Sequence, residues 1–451
     1  MPFLMFLLRL SLSSAIYLAS NITGMTQVVL PADVFPRCPF VPQPNDPGGL
    51  PIAPNNMNFP SKDNVLDCNF YQQAMQMFFW LTSPPPTSYG VGPYVFASPI
   101  FYAVSPRENP SRSFLRWFQT LGANPAVQLL DIGLSQTGPD GVRVVFDKDG
   151  RPHPDGVGQV GKKVLMTQGE NLVFYGIVVN DVYAYYHQSA PKAAPTEFPD
   201  SKDQIEDLEQ KYGHKFPDAQ AMVVAVKTAW IEVGGDENDK KKYLTVETEI
   251  PVYDRRSAHV WIPLKKKKAT LALVGMHVAF SATDRPKLIW ATFEHASNTR
   301  NKAYKYKATA GSCPPTDVCE HQDGAWLFSN DDCSNEPRMH VDDMARIFAD
   351  AKKTIGPSNI CRNYAWGSDK VPDNTLSISI NKSFIDQLPA HDVRRNYMMI
   401  GTNWYNGDDP QGGAELANST METFNGTSRC VKCHVAEKLS HIWSRVPAPK
   451  K

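Results

Sequence analysis

The sequence carries no net charge, since 46 Lys and Arg balance 46 Asp and Glu. That removes any global attraction to nucleic acid or to an anionic membrane surface. Beyond the first twenty residues no stretch approaches eighteen uninterrupted apolar residues, so no membrane-spanning helix is expected in the mature chain. No glycine-rich phosphate loop follows any predicted strand, which argues against a nucleotide enzyme. Internal repeats are absent. There is no second Cys-x-x-Cys pair, and Cys313 and Cys319 stand too far apart for a zinc knuckle. What is present is enough for a large core: 42% of all residues are hydrophobic and 11% of all residues are aromatic, which excludes wholesale disorder.

The opening "MPFLMFLLRLSLSSAIYLAS" is apolar and poor in charge, and residues 1–20 are expected to be a signal peptide. Arg9 interrupts the run and no basic residue precedes it, so the fit to that pattern is incomplete. A periplasmic or secreted location follows. Residues 21–64, rich in Pro and Asn, are expected to form an extended arm. Eight cysteines agree with export. Setting aside Cys430 and Cys433, an oxidising compartment would pair the other six. Cys38 with Cys68 would tie the arm to the first helix. Cys313, Cys319, Cys333 and Cys361 would form two local bridges. Buried free thiols are the alternative. Asn21, Asn381, Asn418 and Asn425 begin glycosylation sequons.

The spacing of Phe70, Tyr71, Ala74, Met77, Phe78 and Leu81 predicts a helix capped by Asn69 and Gln72 and stopped by Pro84–Pro86. From about 125 to 300 the pattern is that of strands: "VRVVFDKDGRPHP" turning at Asp149-Gly150, "NLVFYGIVVNDVYAYYHQ", "AMVVAVKTAWIEV", "KYLTVETEIPVY" and "ATLALVGMHVAF". Short gaps between them predict antiparallel pairing. A helix over "SKDQIEDLEQKYG" carries a Ser201/Gln204 capping box and ends at Gly213. The lysines of "LKKKKA", 264–269, read as a solvated turn between strands, or as a dock for an acidic redox partner. Residues 341–357 and 413–424 are expected to be helices. The fold class is therefore α+β: a large antiparallel β-rich core with flanking helices and a helical, haem-bearing C-terminal portion. The core with its first helix spans 65–300, and 301–451 carries the site described next.

Cys430, Cys433 and His434 stand in the spacing C-x-x-C-H. With eight cysteines and eleven histidines, a chance match is expected on the order of 0.003 times. Two thiols so spaced reach the two vinyl groups of one porphyrin and form thioethers. The adjacent imidazole then becomes the proximal iron ligand. One covalently attached haem c per chain is expected, with His434 as the metal ligand. Zinc and a bare redox pair are the alternatives, and each lacks its usual sequence context.

"NFYQQAMQMFFWLTSP", "LVGMHVAF", "IWATFEHASN" and "STMETF…CVKCH" resemble segments of a family of exported bacterial cytochrome c-like proteins, over most of the chain from about 65 onward. The resemblance implies haem and export, with Cys430 and Cys433 as attachment points and His434 as proximal ligand. It implies no substrate.

No methionine follows His434, and His441, seven positions on, falls on its own side of a continuing helix. A sixth ligand is therefore sought upstream. His277, read as sharing a strand face with Leu273, Gly275 and Ala279, is one candidate. His295, on a face with Ile289, Ala291 and Phe293, is preferred, because the chain leaves the core there. Met421, Met276, Met398 and Met399 complete the set, and "SATDRP" predicts a hairpin joining the two histidine strands. Each histidine has a plain reading as a satisfied core residue. Three functions remain open: electron transfer to a redox partner protein or small molecule, a haem-dependent oxidoreductase of peroxidase or oxidase type with an open distal site, and haem-based binding of a small ligand.

Overall fold

A computed structural model describes residues 30–44, 49, 51–104, 114–116, 162–189, 197–234, 236–301, 304–313, 326–330, 338–342, 345–362, 374–413 and 416–422. The expected leader, the strand turning at Asp149-Gly150, and the Cys430, Cys433 and His434 motif lie outside these residues.

The first helix, α1, spans Asp67–Leu81. It starts before the expected Asn69 cap. The Asn69 side chain sits within the first turn and accepts from the Leu66 N–H at 2.8 Å. At the other end, where three prolines forbid continuation, Thr82 Oγ1 donates to Phe78 O and Ser83 Oγ to Phe79 O.

The described strands are β1 (Phe101–Val104), β2 (Phe114–Arg116), β3 (Val173–Asn180), β4 (Val224–Glu232), β5 (Thr245–Asp254), β6 (Val260–Ala282), β7 (Arg285–His295), β8 (Tyr306–Ala308), β9 (Gly311–Cys313), β10 (Met339–Val341), β11 (Ile347–Ala349), β12 (Tyr397–Asn406) and β13 (Asp409–Gly412). Eleven form one sheet, in the order β13-β12-β7-β6-β4-β3-β1-β2, with β5 and β11 on β6 and β10 on β11. The pairings among them are antiparallel. The large antiparallel core of the α+β expectation is therefore present. The expected β6–β7 hairpin is there too, closing through Ala282 and Arg285.

Helix α1 lies on one face of this sheet. Its Phe78 ring stacks on Phe293 at 4.4 Å between centroids, and Phe70 stacks on Trp404 at 4.0 Å. Burying each such ring stabilises by about 1.5–3 kcal/mol. The Cys38–Cys68 disulfide ties the arm to α1, as expected. Cys361 is disulfide-bonded as well. An arm outside any strand must find other partners for its backbone. Cys38 N–H donates to Ser379 Oγ and Phe40 N–H to Ser383 Oγ, while Gln72 and Gln387 side chains donate to Pro39 O and Phe40 O.

Several local expectations are corrected. "NDVYAYYHQ" does not extend β3; it forms helix α2, Asp181–Ser189. Asn180 makes the switch, since its Oδ1 accepts from Tyr183 N–H and Val224 N–H, an N-cap role that outweighs the β-propensity of the tyrosines. Helix α3, Lys202–Tyr212, matches its expectation, with the Ser201/Gln204 box and Gly213 left-handed at φ +58°. Helix α4, Thr375–Gln387, has no counterpart in the sequence reading, because "TLSISI" alternates like a strand. Residues 264–269 are no turn: they lie within β6, where Lys265 to Lys268 pair with Val252 to Glu249 of β5. Among the described residues of 341–357 there is no helix. Ile347–Ala349 pair with Met339–Val341, and Ile347 and Phe348 with Trp261 and Val260. The Asp342 carboxylate closes the turn on Arg346, a local bond that competes with helix. Asn381 and Asn418 are buried, with their amides donating to backbone oxygens, so neither sequon is open to glycosylation in the folded chain. Among the described residues no helix is long and apolar enough to cross a membrane.

Candidate functional site

The C-x-x-C-H motif is reached through residues 416–422, and these are described. They form a turn on the sheet, not the expected helix. Within "LANSTME" the Asn, Ser and Thr side chains bond to the sheet and to the turn itself, which draws the backbone away from helix. Asn418 Nδ2 donates to Thr292 Oγ1 at 2.9 Å and to Phe293 O at 3.1 Å. Ser419 N–H donates to Glu294 Oε1 at 2.7 Å, and its hydroxyl donates to Oε2 of the same carboxylate. Tyr175 Oη donates to Thr420 O at 2.7 Å.

Two features of the sheet receive this turn. Gly275 has no side chain, and a Cβ there would overlap Thr420 Oγ1 and meet Asn418 Oδ1 at 3.0 Å. Glycine inside a strand often marks such a close approach of another segment. Glu294, opposite Gly275 in the β6–β7 register, is fully buried. It is paired with Arg362, whose Nη2 and Nε lie 2.8 and 3.2 Å from Oε2. Arg362 is also held by Thr299 O and Asn301 Oδ1. A buried charge needs such complete pairing.

One step further along β6, His277 Nε2 meets Glu422 Oε2 at 2.8 Å. Lys227, opposite His277 on β4, lies 3.8 Å from Glu422 Oε1. Burial opposes ionisation of Glu422, but the neighbouring His277 and Lys227 and the bond from His277 outweigh it and hold the carboxyl below its usual range. Burial and the Glu422 charge together push the Tyr175 phenol up.

The two candidate histidines are on opposite faces of the sheet. Strand register places His277 with Thr292 and Gly275 with Glu294 on the face that carries the turn. His295 follows Phe293 on the other face, with Tyr397 opposite it and the Tyr243 ring stacked on it at 4.2 Å. It is fully buried, and both ring nitrogens are engaged: Nδ1 with Ser297 Oγ at 2.7 Å and Nε2 with Lys242 O at 3.1 Å. Burial drives its pKa down to about 3. His295 is thus a satisfied core histidine, as its plain reading had it. Met421 is fully buried among Tyr175, Ala229 and Val274. Its role there is packing. Met276 and Met399 belong to the main core, and Met398 to a smaller cluster.

His277 does not share a face with Leu273. Ala229 pairs with Gly275 and Trp230 with Leu273, which makes Val274 the extra residue of a bulge. The bulge shifts the alternation and turns Leu273 into the main core with Met276 and Phe280. Sequence reasoning also missed Glu294, Arg362, Asn418 and Glu422 as partners. The available signals were the glycine inside "LVGMHV" and the lone acid inside the apolar strand "IWATFEH".

Among the described residues no group of three or more His, Cys, Asp or Glu side chains is arranged to hold a metal ion. No family model, no curated protein and no solved structure matches the chain.

Proposed function

We propose that the protein is an exported c-type haem protein that transfers single electrons, with haem c joined to Cys430 and Cys433 and His434 as proximal iron ligand. The observation that carries this reading is the C-x-x-C-H spacing itself, whose chance frequency is low and whose chemistry is specific. The haem supplies the redox chemistry when bound. The chain's own task is to hold the attached segment, exclude water and present a surface to a redox partner protein or small molecule. The keyed turn at 418–422, directly upstream of the motif, supports that division of labour. The resemblance of "STMETF…CVKCH" to exported cytochrome c-like proteins points the same way, and so does the Cys38–Cys68 disulfide.

Expression in cells with a cytochrome c maturation system tests the reading. The wild-type protein is expected to keep a haem-stained band on a denaturing gel, and the Cys430→Ala, Cys433→Ala variant is expected to lose it. A wild type without covalent haem overturns the proposal. The mature N-terminus is expected beyond about residue 18, as signal-peptide anatomy requires.

A second reading, a haem-dependent oxidoreductase or small-ligand binder with an open distal site, is favoured by one observation. Among the described candidates, His295 has both nitrogens engaged, His277 is paired with Glu422, and Met276, Met398, Met399 and Met421 are packed in apolar clusters. Absorption spectra with and without CO separate the two: a six-coordinate, CO-insensitive spectrum belongs to electron transfer, a CO-responsive one to catalysis or binding.

A further inference from the structure

Helix α1 carries a polar stripe that its packing on the sheet does not require. Asn69, Gln72, Gln73 and Gln76 recur at helical spacing, so their amides share one side of the helix. Phe70 and Phe78, which meet the sheet, lie on another. The arm crosses this stripe and uses part of it. Gln43 N–H donates to Gln76 Oε1 at 3.1 Å, Gln43 Nε2 to Gln73 Oε1 at 3.2 Å, and Gln72 Nε2 to Pro39 O at 2.7 Å. Gln43 Oε1 accepts from Asn55 N–H, and Gln73 Nε2 donates to Asn56 Oδ1.

Between arm and helix these bonds leave a cavity of about 110 Å³, with the 64% exposed Val41 at its rim. Gln43, Asn69, Gln72, Gln73 and Gln76 line it, and none of its lining residues is charged. Gln76 is buried, and its Nε2 has no hydrogen-bond partner among the described residues. The amide cannot be turned round, because its other branch accepts from a backbone N–H. A buried donor in this position calls for an acceptor. Gln72, four residues away and so its neighbour on the helix, has spare acceptor capacity: the bond to its Oε1 from Asn69 Nδ2 is long, 3.4 Å. An ion entering here would meet no opposite charge. The matching guest is neutral, with an oxygen for Gln76 and an N–H for Gln72. A cavity of roughly 150 Å³ holds benzene, so this one takes about four to six non-hydrogen atoms.

We propose that the cavity between the arm and α1 is a binding site for a small uncharged amide, with Gln76 Nε2 donating to its carbonyl oxygen and Gln72 Oε1 accepting from its N–H. The Gln43 and Gln73 amides around it are already fixed by their bonds to Asn55 and Asn56, so the site is preset before the guest arrives. It is built from the arm and α1 and is independent of haem.

NMR titration of the full-length protein, isotope-labelled at its glutamine side chains, tests it with acetamide as probe and acetate as the charged control of like shape. The Gln72 and Gln76 side-chain amide resonances are expected to shift and saturate at millimolar acetamide and to stay in place with acetate. Gln76→Met is expected to weaken binding about tenfold, since one hydrogen bond is lost. Val41→Trp places a large ring at the mouth from an exposed position, and is expected to abolish binding while the melting temperature stays put. Should Gln76→Met fold poorly, Val41→Trp tests the site by itself. No saturable shift with acetamide means that water alone serves Gln76 Nε2 and overturns the proposal. An equal response to acetate, or binding undiminished by Val41→Trp, overturns it as well.

Discussion

Arg362 Nη2 lies 2.8 Å from Glu294 Oε2, with both side chains buried, and the same carboxylate receives Ser419. Removing one partner of such a pair leaves an uncompensated charge in the core. Arg362→Ala is expected to lower stability by about 3–5 kcal/mol, read as a lower urea midpoint at unchanged slope. Glu294→Gln with Arg362→Met, which removes both charges, is expected to recover much of that loss. A single variant as stable as wild type would refute the role given to the pair.

Gly275 is the seat of the turn. Gly275→Ala places a methyl group against Thr420 Oγ1 and Asn418 Oδ1, and overpacking of this kind costs about 1–3 kcal/mol. Adding Thr420→Ala removes the nearest clashing atom and is expected to restore part of the stability. Thermal denaturation of the single and double variants measures the coupling, and strictly additive effects would count against the contact.

The Cys38–Cys68 disulfide closes a separation of 30 residues. Replacing both with Ala is expected to destabilise by about 2–4 kcal/mol. The melting temperature of the variant should then fall less on reduction than that of the wild type, since the Cys361 disulfide remains in both.

Burial holds His295 neutral, with its pKa lowered to about 3 from an ordinary 6.5. Between those values the unfolded chain binds a proton there that the folded chain refuses. The contribution is fully present above about pH 6.5 and is lost as pH falls through that window, at roughly 1.4 kcal/mol per unit. Stability of His295→Gln, followed by urea titration from pH 7 to pH 4, is expected to have a shallower slope than wild type by about one proton. Parallel slopes would show that this histidine is not the titrating group.

Asp218 works in the opposite sense. Burial, and then the Asp181 carboxylate, raise its pKa to about 8. The folded state therefore holds a proton there that the unfolded chain releases above about pH 4. Stability drains as pH rises from 4 towards 8, so Asp218→Asn is expected to gain stability relative to wild type at pH 9. Equal or greater loss at pH 9 than at pH 5 would contradict this.

Elements governed by local chemistry were legible in the sequence. Helix α3 needs its Ser201/Gln204 box and Gly213, all within thirteen residues of chain. The β6–β7 hairpin needs only a short turn and two apolar strands. Elements governed by distant partners were misread. "RIFA" has a helical look, yet it pairs because β6 offers an edge at Val260 and Trp261. The four lysines look like a turn, yet they extend β6 because β5 runs beside them.

By itself the sequence determined the α+β character, the antiparallel pairing, the Cys38–Cys68 bridge and the C-x-x-C-H spacing, because each depends on residue type and on separation along the chain. The tertiary structure alone decided which candidate histidine faces the turn. A one-residue bulge at Val274 and the register of β6 on β7 put His277 on one side of the sheet and His295 on the other. Strand alternation carries a face only until the next bulge, and register is set by the partner strands on either side. For the same reason Glu294 is an anonymous acid in the sequence. It becomes an anchor only when Arg362 and Ser419 arrive from far along the chain to meet it.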